Sequence, residues 1–140
     1  MKRTVILTLT AILALSAFAQ KDDRAFKAYL YNDEYEVFLR INFYDKDVKI
    51  AGQELYGELP GYLGRMQHSF CWVMVDAEIE NERKATMTMI NDFGSEDLTA
   101  SLTRKNDSIY IFRQENGSTV KIPKNGKWQK LPKSLEFKRK

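Results

Sequence analysis

Apolar and polar residues alternate along most of this chain. In residues 35–43, Tyr35, Val37, Leu39, Ile41 and Phe43 are apolar, and the positions between them are polar except Phe38. Val73, Val75, Ala77 and Ile79 alternate with Met74, Asp76, Glu78 and Glu80. Ala85, Met87 and Met89 alternate with threonines, as do Leu98, Ala100 and Leu102 with Thr99, Ser101 and Thr103, and Val120 and Ile122 with Thr119 and Lys121. A period of two sends one set of side chains into a core and the other into water, which is the antiparallel strand pattern. Less regular strands are expected over residues 25–31, 47–51, 108–113 and 134–138. Turn residues separate the runs: Asn32-Asp33, Asp45-Lys46, Asn81-Glu82, Asn91 to Gly94, Asn106-Asp107, Asn116-Gly117 and Asn125-Gly126. The two Asn-Gly pairs read as two-residue hairpins, because both central positions of a type I′ turn need positive φ. No stretch beyond the N-terminal segment holds a 3.6-residue period, and the glycines and Pro60 within residues 52–67 leave room for a short helix at most.

The first twenty residues follow a different rule. Lys2 and Arg3 precede an apolar run of 14 residues, Val5 to Phe18, which ends on Ala17-Phe18-Ala19 and a polar Gln20-Lys21-Asp22-Asp23. A positive n-region, an h-region and a small-residue site in that order predict a signal peptide over residues 1–19, and hence export to the periplasm or medium of a bacterium. The run is shorter than the about 20 residues a spanning helix needs. No cysteine stands at the cleavage point, so a lipoprotein is not expected. What remains, residues 20–140, has the length of one domain. Its one cysteine, Cys71, cannot form an internal disulfide.

Eight or nine short strands in sequence suit a single antiparallel meander that closes into a barrel of about eight strands, because closure removes exposed edges. A β-sandwich is the alternative architecture. The late run at residues 98–110, LTASLTRKNDSIY, is a strand, a charged turn and a returning strand. With it and a meander of this size behind a leader, the chain resembles the small secreted lipocalin-like, calycin-type bacterial domains over residues 35–122. The Gly-x-Trp signature near the first strand of lipocalins is absent. The resemblance therefore implies an architecture and no site residues.

Charge separates along the chain. Residues 20–120 carry 12 Lys and Arg against 18 Asp and Glu, a net of −6, and residues 121–140 carry 8 against 1, a net of +7. The expectation is an acidic body with a basic C-terminal tail from about residue 121. Lys121, Lys124, Lys127, Lys130 and Lys133 recur every third residue, but Pro123, Gly126 and Pro132 exclude one helical stripe. These lysines read either as protection of an edge strand or as a contact for an anionic glycan or lipopolysaccharide. Nucleic acid is not an expected partner for an exported chain with an acidic body.

Candidate chemistry is sparse. His68 and Cys71 are the only histidine and cysteine, and an offset of three along a strand would point them to opposite faces. They are also too few for a zinc site. The acids around Asn91 to Asp97 do not have the spacing of an EF-hand loop. Asn106-Asp107-Ser108 and Asn116-Gly117-Ser118 match the N-glycosylation sequon. No catalytic, metal or cofactor site is assigned, and an enzyme is not expected. An eight-stranded barrel can hold one small ligand, so a small apolar or amphipathic ligand is expected inside, lined by Tyr35, Val37, Leu39, Ile41, Val73, Val75, Met87 and Met89. Residues 52–67 form the one long connection and carry Tyr56, Leu59, Tyr62 and Leu63 as candidate contacts for another exported protein, for instance a secreted hydrolase or an envelope component. The other reading of that connection is a plug over one barrel end.

Overall fold

The computed structural model describes residues 24–140, so the expected signal peptide lies outside the described residues. The described chain is all-β apart from one 3₁₀ turn, Glu54–Tyr56. Ten strands follow in order: β1 Lys27–Asn32, β2 Val37–Asn42, β3 Gly61–Arg65, β4 Cys71–Ile79, β5 Lys84–Asn91, β6 Asp97–Arg104, β7 Ile109–Gly117, β8 Lys121–Lys124, β9 Lys127–Lys130 and β10 Ser134–Arg139. Eight of them close into an antiparallel barrel in the order β1-β10-β7-β6-β5-β4-β3-β2, with β2 paired back onto β1. The sandwich alternative is thereby set aside. β8 and β9 form a separate two-stranded sheet. Among the described residues no helix is long and apolar enough to cross a membrane.

Closure rests on the pairing of Leu30 with Arg139 and Tyr31 with Lys138. Polar bonds seal it. Tyr110, fully buried on β7, donates its hydroxyl to the Ala25 carbonyl at 2.6 Å and accepts from Arg139 Nη1 at 3.1 Å. Arg139 Nη2 also donates to the Lys27 carbonyl at 3.1 Å. Burial pushes the Tyr110 phenol above its usual range, against the pull of the Arg139 charge.

Side chains fill the interior. Phe26, Leu30, Val37, Leu39, Ile41, Leu63, Trp72, Met74, Met87, Met89, Leu102, Tyr110, Phe112 and Phe137 belong to one buried cluster. At about eight strands a barrel is just wide enough for such a filling. Of the expected pocket residues, Val37, Leu39, Ile41, Met87 and Met89 do point into this cluster, and Tyr35 packs partly buried against it.

Val73 and Val75 do not, and a β-bulge is the reason. Met74 pairs with Met89 and the next ladder partner of β5, Thr88, pairs with Asp76, so Val75 is an extra residue on β4. Before the bulge the even positions Trp72 and Met74 face the core; after it the odd positions Ala77 and Ile79 do. One inserted residue exchanges the two faces. Val75 is left exposed, and Val73 lies in a second cluster with Ile50, Leu59 and Cys71 on the outer face of the sheet.

Residues 52–67 are corrected in the same way. They are neither a lid nor an end plug, because β3 occupies Gly61–Arg65 within them. Leu63 is fully buried in the barrel core, Leu59 is buried in the outer cluster, and Tyr56 and Tyr62 pack partly buried against that cluster. The glycines that argued against structure here are what β3 requires. A Cβ on Gly64 would clash with the outer edge of the Phe38 ring, which lies against that backbone. The expected strand at 47–51 reduces to one bridge, Val48 to Leu59. Residues 121–140 are not a tail: they build β8, β9 and the closing strand β10. Of the two Asn-Gly pairs, Asn125-Gly126 makes the expected turn, with φ of 52° and 76°. Asn116-Gly117 ends β7 instead, where a Cβ on Gly117 would sit 2.6 Å from the Asp97 carbonyl oxygen.

Because Leu63 is a core strand residue, Leu63→Ala should cost about 2–5 kcal/mol of stability, read as a lower urea midpoint. A loss below about 0.5 kcal/mol, typical of surface sites, would return residue 63 to a loop.

Candidate functional site

Antiparallel order brings the turns β1–β2, β3–β4 and β5–β6 to the same end of the barrel as the β8–β9 hairpin. The hairpin caps that end. Val120, Ile122 and Leu131 are buried against the barrel core. Gln114, a buried polar side chain on β7, ties both roots of the cap. Its Oε1 accepts from the Val120 N–H at 2.7 Å, and its Nε2 donates to the carbonyls of Pro132 at 3.1 Å and Leu131 at 3.4 Å.

β8 is then fastened by side chains of the barrel. Trp72 Nε1 donates to the Lys121 carbonyl at 3.2 Å, and Arg65 Nε donates to the Pro123 carbonyl at 2.8 Å. Arg65 also donates to the Tyr35 carbonyl at 2.9 Å, which joins the cap to the β1–β2 turn. A strand edge that would otherwise be bare is thus satisfied by donors from below. β9 lies on the far side of β8, with its own outer edge unpaired within the two-stranded sheet.

A cleft of about 230 Å³ opens between the cap and the rim. Phe70, Trp72, Asn91, Phe93, Ser95, Glu96, Lys121 and Trp128 line it. The floor is apolar: Trp72 is 1% exposed and Phe70 9%. Trp128 leans on Phe70, with ring centroids 5.6 Å apart and planes tilted by 59°. The two flanking aromatics stand in solvent, Phe93 at 80% exposure and Trp128 at 58%. On one wall Lys121 Nζ lies 3.6 Å from Glu96 Oε1, and Asn91 Nδ2 donates to Glu96 Oε2 at 3.4 Å. Asn91 also shapes the β5–β6 turn: its Oδ1 accepts the N–H groups of Ser95 at 2.8 Å and Glu96 at 3.2 Å, an Asx-type cap that holds Phe93 outward at the tip. The cleft is smaller than the ~300–1,000 Å³ of most small-molecule sites. It matches one ring-sized group with a polar edge.

Of the residues expected from the sequence to bind a ligand or partner, Lys121 lines this cleft, and none of the barrel or 52–67 residues does. Tyr35, Val37, Leu39, Met87 and Met89 fill the barrel, and Tyr56, Leu59 and Tyr62 pack on its outer wall. Phe93 and Trp128 were the residues to notice. Phe93 sits inside the turn sequence Asn91 to Gly94, and Trp128 two residues after Asn125-Gly126. Large aromatics in or beside tight turns have little core within reach, so their exposure is itself the signal.

His68 and Cys71 do different work. His68 is exposed in the β3–β4 turn, where Nδ1 accepts the Phe70 N–H at 3.0 Å. Cys71 is buried on the outer face, with Sγ 3.9 Å from Asp92 Oδ1. Burial first, then the Asp92 charge and hydrogen bond, push its thiol from 9.0 up to about 12. The thiolate that nucleophilic chemistry needs is therefore suppressed at neutral pH. Among the described residues no group of three or more His, Cys, Asp and Glu gathers at a spacing that could hold a metal.

Comparison with protein-family models, with curated proteins and with solved structures found no match to this chain.

The Cys71 environment sets two expectations. Ellman's reagent should leave the native protein unmodified at neutral pH and titrate one thiol per chain in denaturant. Stability should fall as pH rises from about 9 towards about 12, because the unfolded thiol loses its proton before the folded one does. Rapid labelling of the native thiol would contradict both.

Proposed function

We propose that this protein is an exported, non-enzymatic binding protein on a lipocalin-like barrel, and that it takes a ring-sized amphipathic group in the rim cleft rather than inside the barrel. One observation carries the reading. Two large aromatics, Phe93 and Trp128, stand exposed on either side of a cleft whose floor is the buried pair Phe70 and Trp72. Exposed apolar groups around a concave, partly apolar surface mark a contact site. The polar edge supplied by Asn91, Ser95, Glu96 and Lys121 favours an amphipathic occupant over a purely apolar one.

The filled interior supports moving the ligand to the rim. The suppressed Cys71 thiol, and the separate environments of His68 and Cys71, support a binding role over a catalytic one. Export is proposed on the charged, apolar and small-residue pattern of residues 1–23. Lipocalin-like kinship is proposed on the closed eight-stranded meander. A protein contact through residues 52–67 has less support, because Leu59 and Leu63 are buried and Tyr56 and Tyr62 are partly so.

A neutral ring probe tests the site. N-phenyl-1-naphthylamine should bind the native protein and quench tryptophan emission, since both tryptophans of the chain line the cleft. Trp128→Ala and Phe93→Ala, both exposed and cheap for the fold, should each weaken binding about tenfold, as loss of an aromatic anchor does. Unchanged affinity in both variants would sink the rim reading and send the search back to the barrel interior.

A further inference from the structure

The hairpin that carries Trp128 is built against its own stability. Its ladder sets Lys121 opposite Lys130 and Lys124 opposite Lys127. Directly opposed like charges on neighbouring strands are destabilising. No acidic residue lies between Gly117 and Leu135 to relieve them. Of the hairpin lysines only Lys121 has a carboxylate within 4.0 Å among the described residues, that of Glu96. Lys124, Lys127, Lys130 and Lys133 are all exposed.

Protection of an edge strand does not account for this arrangement. Lysines on an edge repel a second sheet. In this register, however, Trp128 shares a face with Lys121, Pro123 and Lys130. A large exposed aromatic in the middle of a four-residue edge strand restores the stickiness that the lysines would remove. Cations around an exposed flat ring make sense together as a recognition surface: the ring packs on a ring, and the lysines meet its negative substituents.

We infer that the occupant of the cleft is one ring of an acidic polysaccharide, packed on Trp128, with the carboxylates or sulfates of its neighbouring units on Lys130, which shares that face. This rests on the cleft being the binding site, as proposed above. Three observations select this partner. The cleft holds a single ring, so a longer molecule must continue outside it. Lys130 is exposed on the Trp128 face and lies outside the residues that line the cleft, so a charged chain has somewhere to run. Residues 20–120 carry a net of −6, and although Lys138, Arg139 and Lys140 put positive charge at the far end of β10, the hairpin is the basic ground beside the cleft. Glu96 does not oppose it, because its charge is already met by Lys121 and by Asn91 Nδ2.

Polygalacturonate, followed by tryptophan emission, is the probe, with dextran as the neutral polymer and single-stranded DNA and anionic vesicles as polyanions without a stackable sugar acid. Polygalacturonate should bind, lose affinity steeply as salt rises to roughly 0.15 M, and outcompete all three. The double variant Lys127→Glu, Lys130→Glu replaces both like-charge pairs with opposite ones. It should melt at a higher temperature than the native protein while losing affinity for polygalacturonate by at least about tenfold, so weaker binding cannot be put down to a damaged fold. Trp128→Ala should lose the polymer as well. If the neutral dye binds but polygalacturonate does not, or if dextran binds equally well, the acidic-polysaccharide inference falls and the cleft stands. If DNA or vesicles bind as tightly and Trp128→Ala retains them, the hairpin is a charge patch only and the inference is overturned. If neither dye nor polymer moves the tryptophan signal, the cleft reading falls with it.

Discussion

Pairing of β1 with β10 closes the barrel, and closure limits the room inside. Eight strands enclose a space that side chains of ordinary size can fill. This chain supplies Trp72, Phe112, Phe137 and the methionines of β4 and β5 to do so. Closure also removes the edges of the main sheet, leaving β8 and β9 as the strands outside it. A filled interior leaves a ligand to the surface, where the rim cleft joins exposed aromatics to a buried apolar floor.

The rim is stiffened by polar side chains placed in an apolar setting. Gln114 is buried and uses both ends of its amide on the cap, while Arg65 and Trp72 reach up from β3 and β4 to the carbonyls of β8. Each is satisfied, which is the condition under which a buried polar group orders a structure instead of weakening it. The result is a platform with one fixed strand, β8, and one outer strand, β9, whose Trp128 rests on Phe70. A site on such a platform is held by the barrel and not by a mobile loop.

Much of the barrel was legible in the alternation, because period two is a direct readout of one buried face. β5 and β6 read correctly, since each keeps its phase; β7 was expected over residues 108–113 and runs on to Gly117, past a bulge at Glu115. β4 did not read correctly. The run from Val73 to Ile79 looks like one uninterrupted face, but the bulge at Val75 changes its phase, and an inserted residue leaves no mark when both faces carry valine and methionine. β3 was hidden for a different reason. Gly61 and Gly64 read as loop, whereas they are there because Arg40, Ile41 and Phe38 lie against that backbone. Such close approach is a tertiary fact, invisible to local pattern. The cleft was harder still. It joins Phe70 of the β3–β4 turn, Phe93 of the β5–β6 turn and Trp128 of the hairpin, and only the order of strands around the barrel makes these three neighbours.

The hairpin strands depart from the consistency that much of the chain keeps. Many local choices agree with the global fold: Asn125-Gly126 where φ must be positive, Gly64 where the Phe38 ring meets the backbone, apolar residues in the barrel core. In β8 and β9 lysines oppose lysines and a tryptophan faces water. Natural sequences break their own local rules mainly at functional sites, where the departure is offset by stability elsewhere. The barrel provides that offset. Its closed ladder and filled core let a short, self-repelling hairpin persist, anchored through β8. The same charges that weaken the hairpin in isolation leave its outer face open to a partner of opposite sign.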